Sequence, residues 1–145
     1  MSAYEPLDLS ALYNAGLDLL GGRGLLGAQT FRGLPFMLGE DPEKCLIACG
    51  GDVDAVEIAM GRRATWLVVA QRLLESGIGA NGPLGVEVAE YAFCYEGGEE
   101  VRVSVRDRFE ISMVPPAYGG APFVAVPDTN DRVQPRDAGE WGLAG

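Results

Sequence analysis

The sequence contains no histidine, and this absence excludes more functions than any motif adds. Without imidazole the chain cannot use Ser-His-Asp or Cys-His catalysis, and it has no histidine ligand for zinc. A catalytic site would have to be built from carboxylates, tyrosine, arginine or the single lysine, Lys44. We therefore expect a domain that is not an enzyme by itself.

Basic residues are also few. The chain has 11 lysines and arginines against 21 acidic residues, a net charge of −10. A nucleic-acid-binding surface needs the opposite balance, and anionic membranes repel such a chain. We expect no nucleic-acid or membrane partner. The charge suits solubility and repulsion between copies.

Long apolar runs and paired cysteine motifs are absent too. No run approaches the ~18–20 apolar residues of a membrane-spanning helix, and the N-terminus does not resemble a secretory signal. We predict a cytoplasmic location, where thiols stay reduced. Cys45, Cys49 and Cys94 all lie in apolar runs, so we predict buried free thiols. A cross-strand bond from Cys94 to Cys45 or Cys49 stays open as an alternative.

What the chain does have is short apolar runs separated by 21 glycines and 9 prolines. This pattern is typical of many short strands joined by turns. We predict an all-β fold, a jelly-roll-like antiparallel β-sandwich that forms a single domain over residues 1–126. A polar, glycine-rich segment follows at 127–145, as a linker or the start of a further strand. Any cofactor is expected to be at most a structural calcium ion.

Most strands are predicted from short β-rich runs. We predict strands at 30–38, 44–49, 55–60 and 121–126, and either a strand or a helix at 65–74. Gly33 and Pro35 indicate a sheet edge or a bulge in the first of these strands. A helical turn within residues 7–14 is predicted to be capped by Ser10.

The clearest element is a hairpin over residues 86–95 and 99–111. Gly97-Gly98 between two β-rich runs predicts a type I′ turn, because both central positions of that turn need φ > 0. A change of phase indicates a bulge near Ala89-Glu90. The second strand alternates between valines, expected inward, and polar residues, expected outward: Val101, Val103 and Val105 against Arg102, Ser104 and Arg106.

Two kinds of acidic cluster suggest chemistry. Loop oxygens at close spacing are what calcium binds, and the candidate ligands are Asp128, Asn130 and Asp131. Asp52, Asp54 and Glu57 form a second acidic group in a turn. We favour ordinary turn chemistry for both groups, since Asp and Asn are common in turns. Glu87 and Glu90 suggest a glycosidase-like carboxylate pair, although a regular strand would place them on opposite faces.

Aromatic and basic side chains offer two further candidate sites. Trp141 and Tyr118 lie in predicted loops, where their rings can contact a saccharide, whereas Trp66 begins an apolar run and is predicted to be core. Arg102 and Arg106 project from one strand face. They can bind a carboxylate ligand or pair with the glutamates of the opposite strand, and we favour the second interpretation.

Several segments resemble a known family. LDLSALYN, TFRGLPFML (with Thr30, Phe31, Gly33, Pro35 and Phe36) and a strand ending Tyr-x-Phe-x-Tyr resemble galactose-binding-like jelly-roll domains of large bacterial hydrolases, related to the novel putative carbohydrate-binding module. RDRFEI, APFVAVPD and EWGLAG resemble the N-terminal β-domain that precedes the metal-dependent hydrolase domain of the carbaryl-hydrolase type. The resemblance implies an accessory domain, because the metal ligands of those proteins lie in the following, histidine-rich domain.

Two functions follow from these observations. We favour assembly, by dimerisation or by docking a catalytic partner through a strand edge or sheet face. Related domains often continue past a segment like EWGLAG into another strand, so we expect an open edge that invites pairing. The alternative is a carbohydrate-binding module that uses loop aromatics. A carboxylate-based hydrolase is the third choice.

Overall fold

The computed structural model describes residues 3–114 and 121–127. Four strands form two separate two-stranded antiparallel sheets, and the helical elements are short 3-10 turns. The all-β prediction is confirmed, while the jelly-roll sandwich and the domain boundary at 126 stay predictions. The chain divides into two compact units, Met1–Leu67 and Val68–Gly145, which are described separately. No helix of the described residues is long and apolar enough to cross a membrane.

The first unit contains a tight hairpin of β1 (Ala28–Phe31) and β2 (Leu34–Met37). Arg32 and Gly33 form its turn with φ values of 51° and 80°. Two successive residues with positive φ are the signature of a type I′ turn. The single strand predicted over 30–38 is therefore wrong, because Gly33 allows the chain to reverse where we expected a bulge or an edge.

Two 3-10 turns precede this hairpin, Ser10–Leu12 and Leu17–Leu20. The prediction that Ser10 caps the first is wrong, because Ser10 is the first residue of the turn and makes no side-chain cap. Instead, the Ser10 N–H donates to Asp8 Oδ1 at 2.9 Å. This hydrogen bonding from Ser10 lowers the pKa of the Asp8 carboxyl.

Residues 44–49 do not form the predicted strand. Ala15 and Leu46 make only an isolated antiparallel bridge, with the Cys45 N–H also donating to Ala15 O at 2.9 Å. The Asn14 side chain extends this bridge by pairing with both backbone groups of Ala48, at 2.7 Å and 2.9 Å. A side-chain amide thus replaces a strand partner. Residues 55–60 also form no strand.

Residues 65–74 form neither the predicted strand nor the predicted helix. Their regular pairing is a single parallel bridge between Leu73 and Met113. The side chain of Trp66 is 73% exposed, so its predicted place in the core is wrong. Apolar composition alone did not identify the buried segments.

The second unit is organised by β3 (Glu87–Cys94) and β4 (Glu100–Arg106), which confirm the predicted hairpin. The predicted turn type is wrong. The Tyr95 N–H donates to Glu99 O at 2.8 Å, which leaves three residues in the loop, and only Gly98 has positive φ, at 85°. This geometry is that of a type I turn followed by a left-handed bulge residue.

The core of the second unit lies beside the end of β4. Val105, Ile78 and Ile111 are buried there, and Ile78 belongs to a 3-10 turn, Gly77–Ala80. The rings of Phe109 and Phe123 pack with centroids 5.0 Å apart. The strand predicted at 121–126 does not form, although backbone N–H groups of this segment donate to Arg108 and Phe109 carbonyls.

Candidate functional site

A register shift in β3 determines which side chains share a face. Glu87 pairs with Arg106, but Ala89 pairs with Val105, so Val88 is the extra residue of a bulge. Glu87 and Glu90 consequently lie on the same face, and the prediction that they lie on opposite faces is wrong. Glu87 Oε2 accepts a hydrogen bond from Ser104 Oγ at 2.6 Å. The bulge lies just before its predicted position.

Arg102 lies at the centre of this polar face. Its Nη1 contacts Glu90 Oε1 across the strands, and its Nε contacts Glu100 Oε1 at 2.5 Å. Hydrogen bonds from these two carboxylates raise the pKa of the guanidinium. Arg102 therefore makes the cross-strand pair that we favoured. Both glutamates are engaged, so the face presents ion pairs rather than a poised acid and base.

Arg106 is held by a different partner. Its Nε and Nη2 donate to the two oxygens of Glu110, both at 2.7 Å, and its guanidinium lies 4.4 Å from the centroid of the Phe109 ring. The hydrogen bonding raises the pKa of Arg106 and lowers that of Glu110. This bidentate pair uses the geometry with which arginine would bind an external carboxylate. Arg108 does not continue the line of Arg102 and Arg106, because its φ is 65° and its guanidinium lies over Phe123.

The opposite face of the hairpin is apolar, and its exposure changes along its length. Tyr91 and Phe93 stack with ring centroids 6.2 Å apart and lie opposite Val103 and Val101. Val105 is 2% exposed, whereas Val103 is 44% and Val101 is 41% exposed. The predicted inward orientation leads to burial only at Val105. We call the turn end of this face, formed by Tyr91, Phe93, Val101 and Val103, the apolar face.

The two edges of the hairpin also differ. Because the Tyr95 N–H bonds to Glu99 O, odd-numbered residues of β4 and of β3 from Ala89 onward direct their backbone groups inward, and even-numbered ones direct them outward. On β4, the outward groups of Arg106 are bonded: Glu110 Oε1 accepts from its N–H, and its carbonyl accepts from the Phe109 N–H. On β3, the outward groups belong to Glu90, Ala92 and Cys94. Within residues 3–114 and 121–127 neither these groups nor those of Arg102 and Ser104 on β4 have a backbone partner, so the two edges differ at Arg106.

The cysteines are all free, but only one is buried as predicted. Cys45 is enclosed in the first unit, and burial is the main cause that raises the pKa of its thiol. A raised pKa lowers the thiolate fraction and hence the reactivity. The burial prediction is wrong for Cys49 and Cys94, which are exposed. Cys94 lies on the polar face with its sulfur 3.9 Å from Glu100 Oε2.

One polar interaction was missed by the sequence analysis. Ser76 Oγ donates to Oδ2 of the buried Asp107 at 2.5 Å and accepts from the Ile78 N–H at 3.2 Å. Ser76 thereby caps the 3-10 turn and ties it to the end of β4. A serine before the Gly-Ile-Gly sequence was the available signal for the cap. The pair is a structural anchor, because it joins the turn to the end of β4.

The remaining candidate sites are less informative. Trp141, Tyr118, Asp128, Asn130 and Asp131 lie outside the described residues, so the sugar and calcium sites stay predictions. Asp52 and Asp54 are exposed, and the part of the chain that the structure describes contains no group of three residues able to hold a metal. In the first unit, Asp18, Pro42 and Glu43 line an acidic depression of about 360 Å³.

Comparison with known proteins gives no match to any family model, curated protein or solved structure. The hairpin of β3 and β4 is therefore the candidate site on its own geometry. It combines an exposed apolar face, a polar face of paired charges and a β3 edge without a backbone partner among the described residues.

Proposed function

We propose that this chain is a non-catalytic accessory β-domain that mediates assembly in the bacterial cytoplasm. It acts by dimerising or by docking a catalytic partner within a larger hydrolase assembly, and its complete architecture is a jelly-roll-like sandwich. The observation that supports this proposal is the amphipathic hairpin of β3 and β4, with its exposed apolar face and open β3 edge.

Stability gives the first argument. An isolated two-stranded hairpin is marginal in water and needs a further strand or a packed layer. The buried core of the second unit covers the Val105 end, but the turn end, with Val101 and Val103, is exposed. Covering apolar surface contributes about 25 cal/mol per Å². A partner seated on the apolar face would gain this energy.

The chemistry of the polar face gives the second argument. Its arginines are already paired with glutamates of the same chain, so neither is arranged for a small anionic ligand. The distant hydrolase alternative has the same difficulty, because Glu87 and Glu90 are each hydrogen-bonded to a side chain of β4. When a partner binds through the apolar face, the arginines and glutamates of the polar face keep their present hydrogen-bond partners.

The test is the solution mass of the purified chain by light scattering across a range of concentrations. We expect a dimer, and we expect Phe93→Glu to abolish it, because Phe93 belongs both to the apolar face and to β3. Leu19→Glu is the matched control, because Leu19 is 43% exposed in the first unit and receives the same charge. Circular dichroism of both variants establishes that they fold. Equal loss of the dimer in both variants, or equal retention, would contradict a role for the apolar face.

Carbohydrate binding is the alternative, and the exposed ring of Trp66 favours it. An exposed indole offers a flat apolar surface with a hydrogen-bond donor at its edge. A glycan screen with Trp66→Ala, Trp141→Ala and Tyr118→Ala separates the candidates. Loss of a specific glycan in one variant would support the alternative, and a screen without any bound glycan would dismiss it.

A further inference from the structure

We propose that the open edge of β3 pairs in an antiparallel manner with β3 of a second copy of this chain. Two hairpins would then join into one four-stranded sheet, in the order β4, β3, β3 and β4. This inference rests on the proposed assembly function and specifies its partner and its surface.

The choice of β3 over β4 follows from the end of β4 and from the side chains of the two strands. The outward backbone groups of Arg106 are already bonded to Glu110 and Phe109, and β4 also carries the basic side chain of Arg102. Ala92 and Cys94 of β3 are small and exposed, and their outward groups have no backbone partner in the described part of the chain. Proteins protect strand edges with lysine, proline or bulges. The sequence of β3, EVAEYAFC, contains no basic residue and no proline, and its bulge lies at one end.

Charge selects the register of the pairing. The outward backbone groups of one β3 strand must lie opposite those of the other β3 strand. The two-fold axis therefore passes through one residue of β3 and the same residue of the second copy. An axis at Glu90 would place two carboxylates directly opposite each other, which destabilises a sheet. An axis at Phe93 would oppose Glu90 and Glu96. An axis at Tyr91 would end the ladder early, because Cys94 would meet the bulged Val88.

An axis at Ala92 avoids all three conflicts. Glu90 then lies opposite Cys94 of the second copy, and Tyr91 lies opposite the second Phe93. Both aromatic residues already share one face of β3. Aromatic cross-strand pairs stabilise sheets, and the small Ala92 at the centre allows the strands to approach. A second β3 strand supplies outward backbone groups, an uncharged residue opposite Glu90 and an aromatic residue opposite Tyr91. We therefore assign the partner as a second copy of this chain.

The dimer would also extend the apolar face. A two-fold axis perpendicular to the sheet keeps equivalent faces on the same side. Tyr91 and Phe93 of both copies would therefore form the centre of one continuous apolar surface, flanked by Val101 and Val103 of each copy. The chain carries a net charge of −10, so long-range repulsion opposes association and added salt should strengthen it.

Cysteine cross-linking tests the register. Ala92→Cys is made in the full chain with Cys49→Ser and Cys94→Ser, which removes the two exposed thiols. Hydrogen-bonded antiparallel pairs have Cα atoms about 5.5 Å apart, which suits a disulfide. We expect a disulfide-linked dimer on mild oxidation. Ser104→Cys, on the same polar face but on β4, is the matched control and should stay unlinked.

Ala92→Pro tests the edge by a second route. Proline removes only the outward N–H of Ala92, so the pairing of β3 with β4 remains possible. We expect the hairpin spectrum by circular dichroism to persist and the dimer to weaken by at least about tenfold, the equivalent of one lost pair of hydrogen bonds. The unchanged spectrum separates loss of the interface from loss of folding.

The outcomes distinguish this inference from the function on which it rests. A wild-type dimer with no Ala92→Cys cross-link and an unaffected Ala92→Pro variant would overturn the β3 edge and leave assembly in place. A wild-type chain that stays monomeric at every concentration would overturn both the β3 pairing and dimerisation. A selective Ala92→Cys cross-link with a weakened Ala92→Pro dimer would support the proposal.

Discussion

The two hairpins of this protein are stabilised in different ways. The hairpin of β1 and β2 has four-residue strands and a two-residue turn, and the first unit around it is rich in side-chain-to-backbone hydrogen bonds such as those of Asn14. The hairpin of β3 and β4 is longer, and of the four buried hydrophobic residues in the described part of the chain three lie in its unit. The first unit therefore depends on polar side-chain contacts, and the second on an apolar core at one end of a sheet.

The largest effect is expected for Asp107→Ala in the second unit. The change leaves Ser76 Oγ without its carboxylate partner beside a buried position. Losing a buried hydrogen bond to a charged group costs about 2–3 kcal/mol of unfolding free energy. Urea unfolding measures the loss. Asp52→Ala, at an exposed turn position, should change stability by less than about 0.5 kcal/mol. Equal effects would show that the Ser76–Asp107 pair is not an anchor.

A slightly smaller effect is expected for Val105→Ala. Val105 is enclosed, so the substitution removes buried apolar surface and costs about 2 kcal/mol. Val101→Ala is the matched control, because Val101 lies on the same face of the same strand but is exposed. Thermal unfolding of both variants compares the two ends of the apolar face. If Val101→Ala lowered the stability as much as Val105→Ala, the turn end of this face would also be covered in solution.

In the first unit we expect a loss of about 1 kcal/mol for Asn14→Ala. The amide makes two hydrogen bonds to Ala48, both at an exposed position where water competes. Hydrogen exchange of the Ala48 amide measures the local effect directly, and its protection should fall in the variant. Retained protection at Ala48 would contradict the role of Asn14 as a substitute strand partner.

The smallest effect concerns the pair of Arg106 and Glu110. The folded-state pKa of Glu110 is lowered by Arg106, so the pair stabilises the protein above the usual glutamate pKa. That contribution is lost as the pH falls through the lowered folded-state value, because protonation removes the negative charge. Glu110→Gln should therefore be less stable than the natural chain at pH 7, and the difference should shrink in acid. A pH-independent difference would rule out the ion pair as its cause.

Sequence patterns predicted the hairpin of β3 and β4 because alternation and Gly97-Gly98 are local signals. The same signals did not predict the turn length or the position of the bulge, because both depend on how β3 and β4 pair. The turn has three residues instead of two, since only Gly98 takes positive φ. The bulge at Val88, one residue from the segment that we indicated, reverses the expected relation of Glu87 and Glu90. A shift of one residue changes which face each following side chain occupies.

Other predictions failed because an apolar run does not reveal what covers it. Trp66 was expected in the core and is exposed, and Cys49 and Cys94 are exposed as well. The run at 30–38 has enough β-forming residues for one strand, yet Arg32-Gly33 divides it into two. The buried contact of Ser76 with Asp107 joins residues far apart in the chain, so no short motif indicates it.

The sequence by itself determined the strand-rich character, the long hairpin, the acidic charge and the absence of histidine chemistry. These properties depend on composition, on a repeat of two residues, and on glycine at positive φ, all of which are local. Only the tertiary structure decided that Val105 is buried while Val101 on the same face is exposed, and that the outward groups of Arg106 are bonded while those of Ala92 and Cys94 have no backbone partner among the described residues. The burial of Val105 depends on residues distant in the chain, such as Ile78, and the bonding of Arg106 depends on the turn that returns Glu110 to the edge of β4, so the strand sequence alone specifies neither.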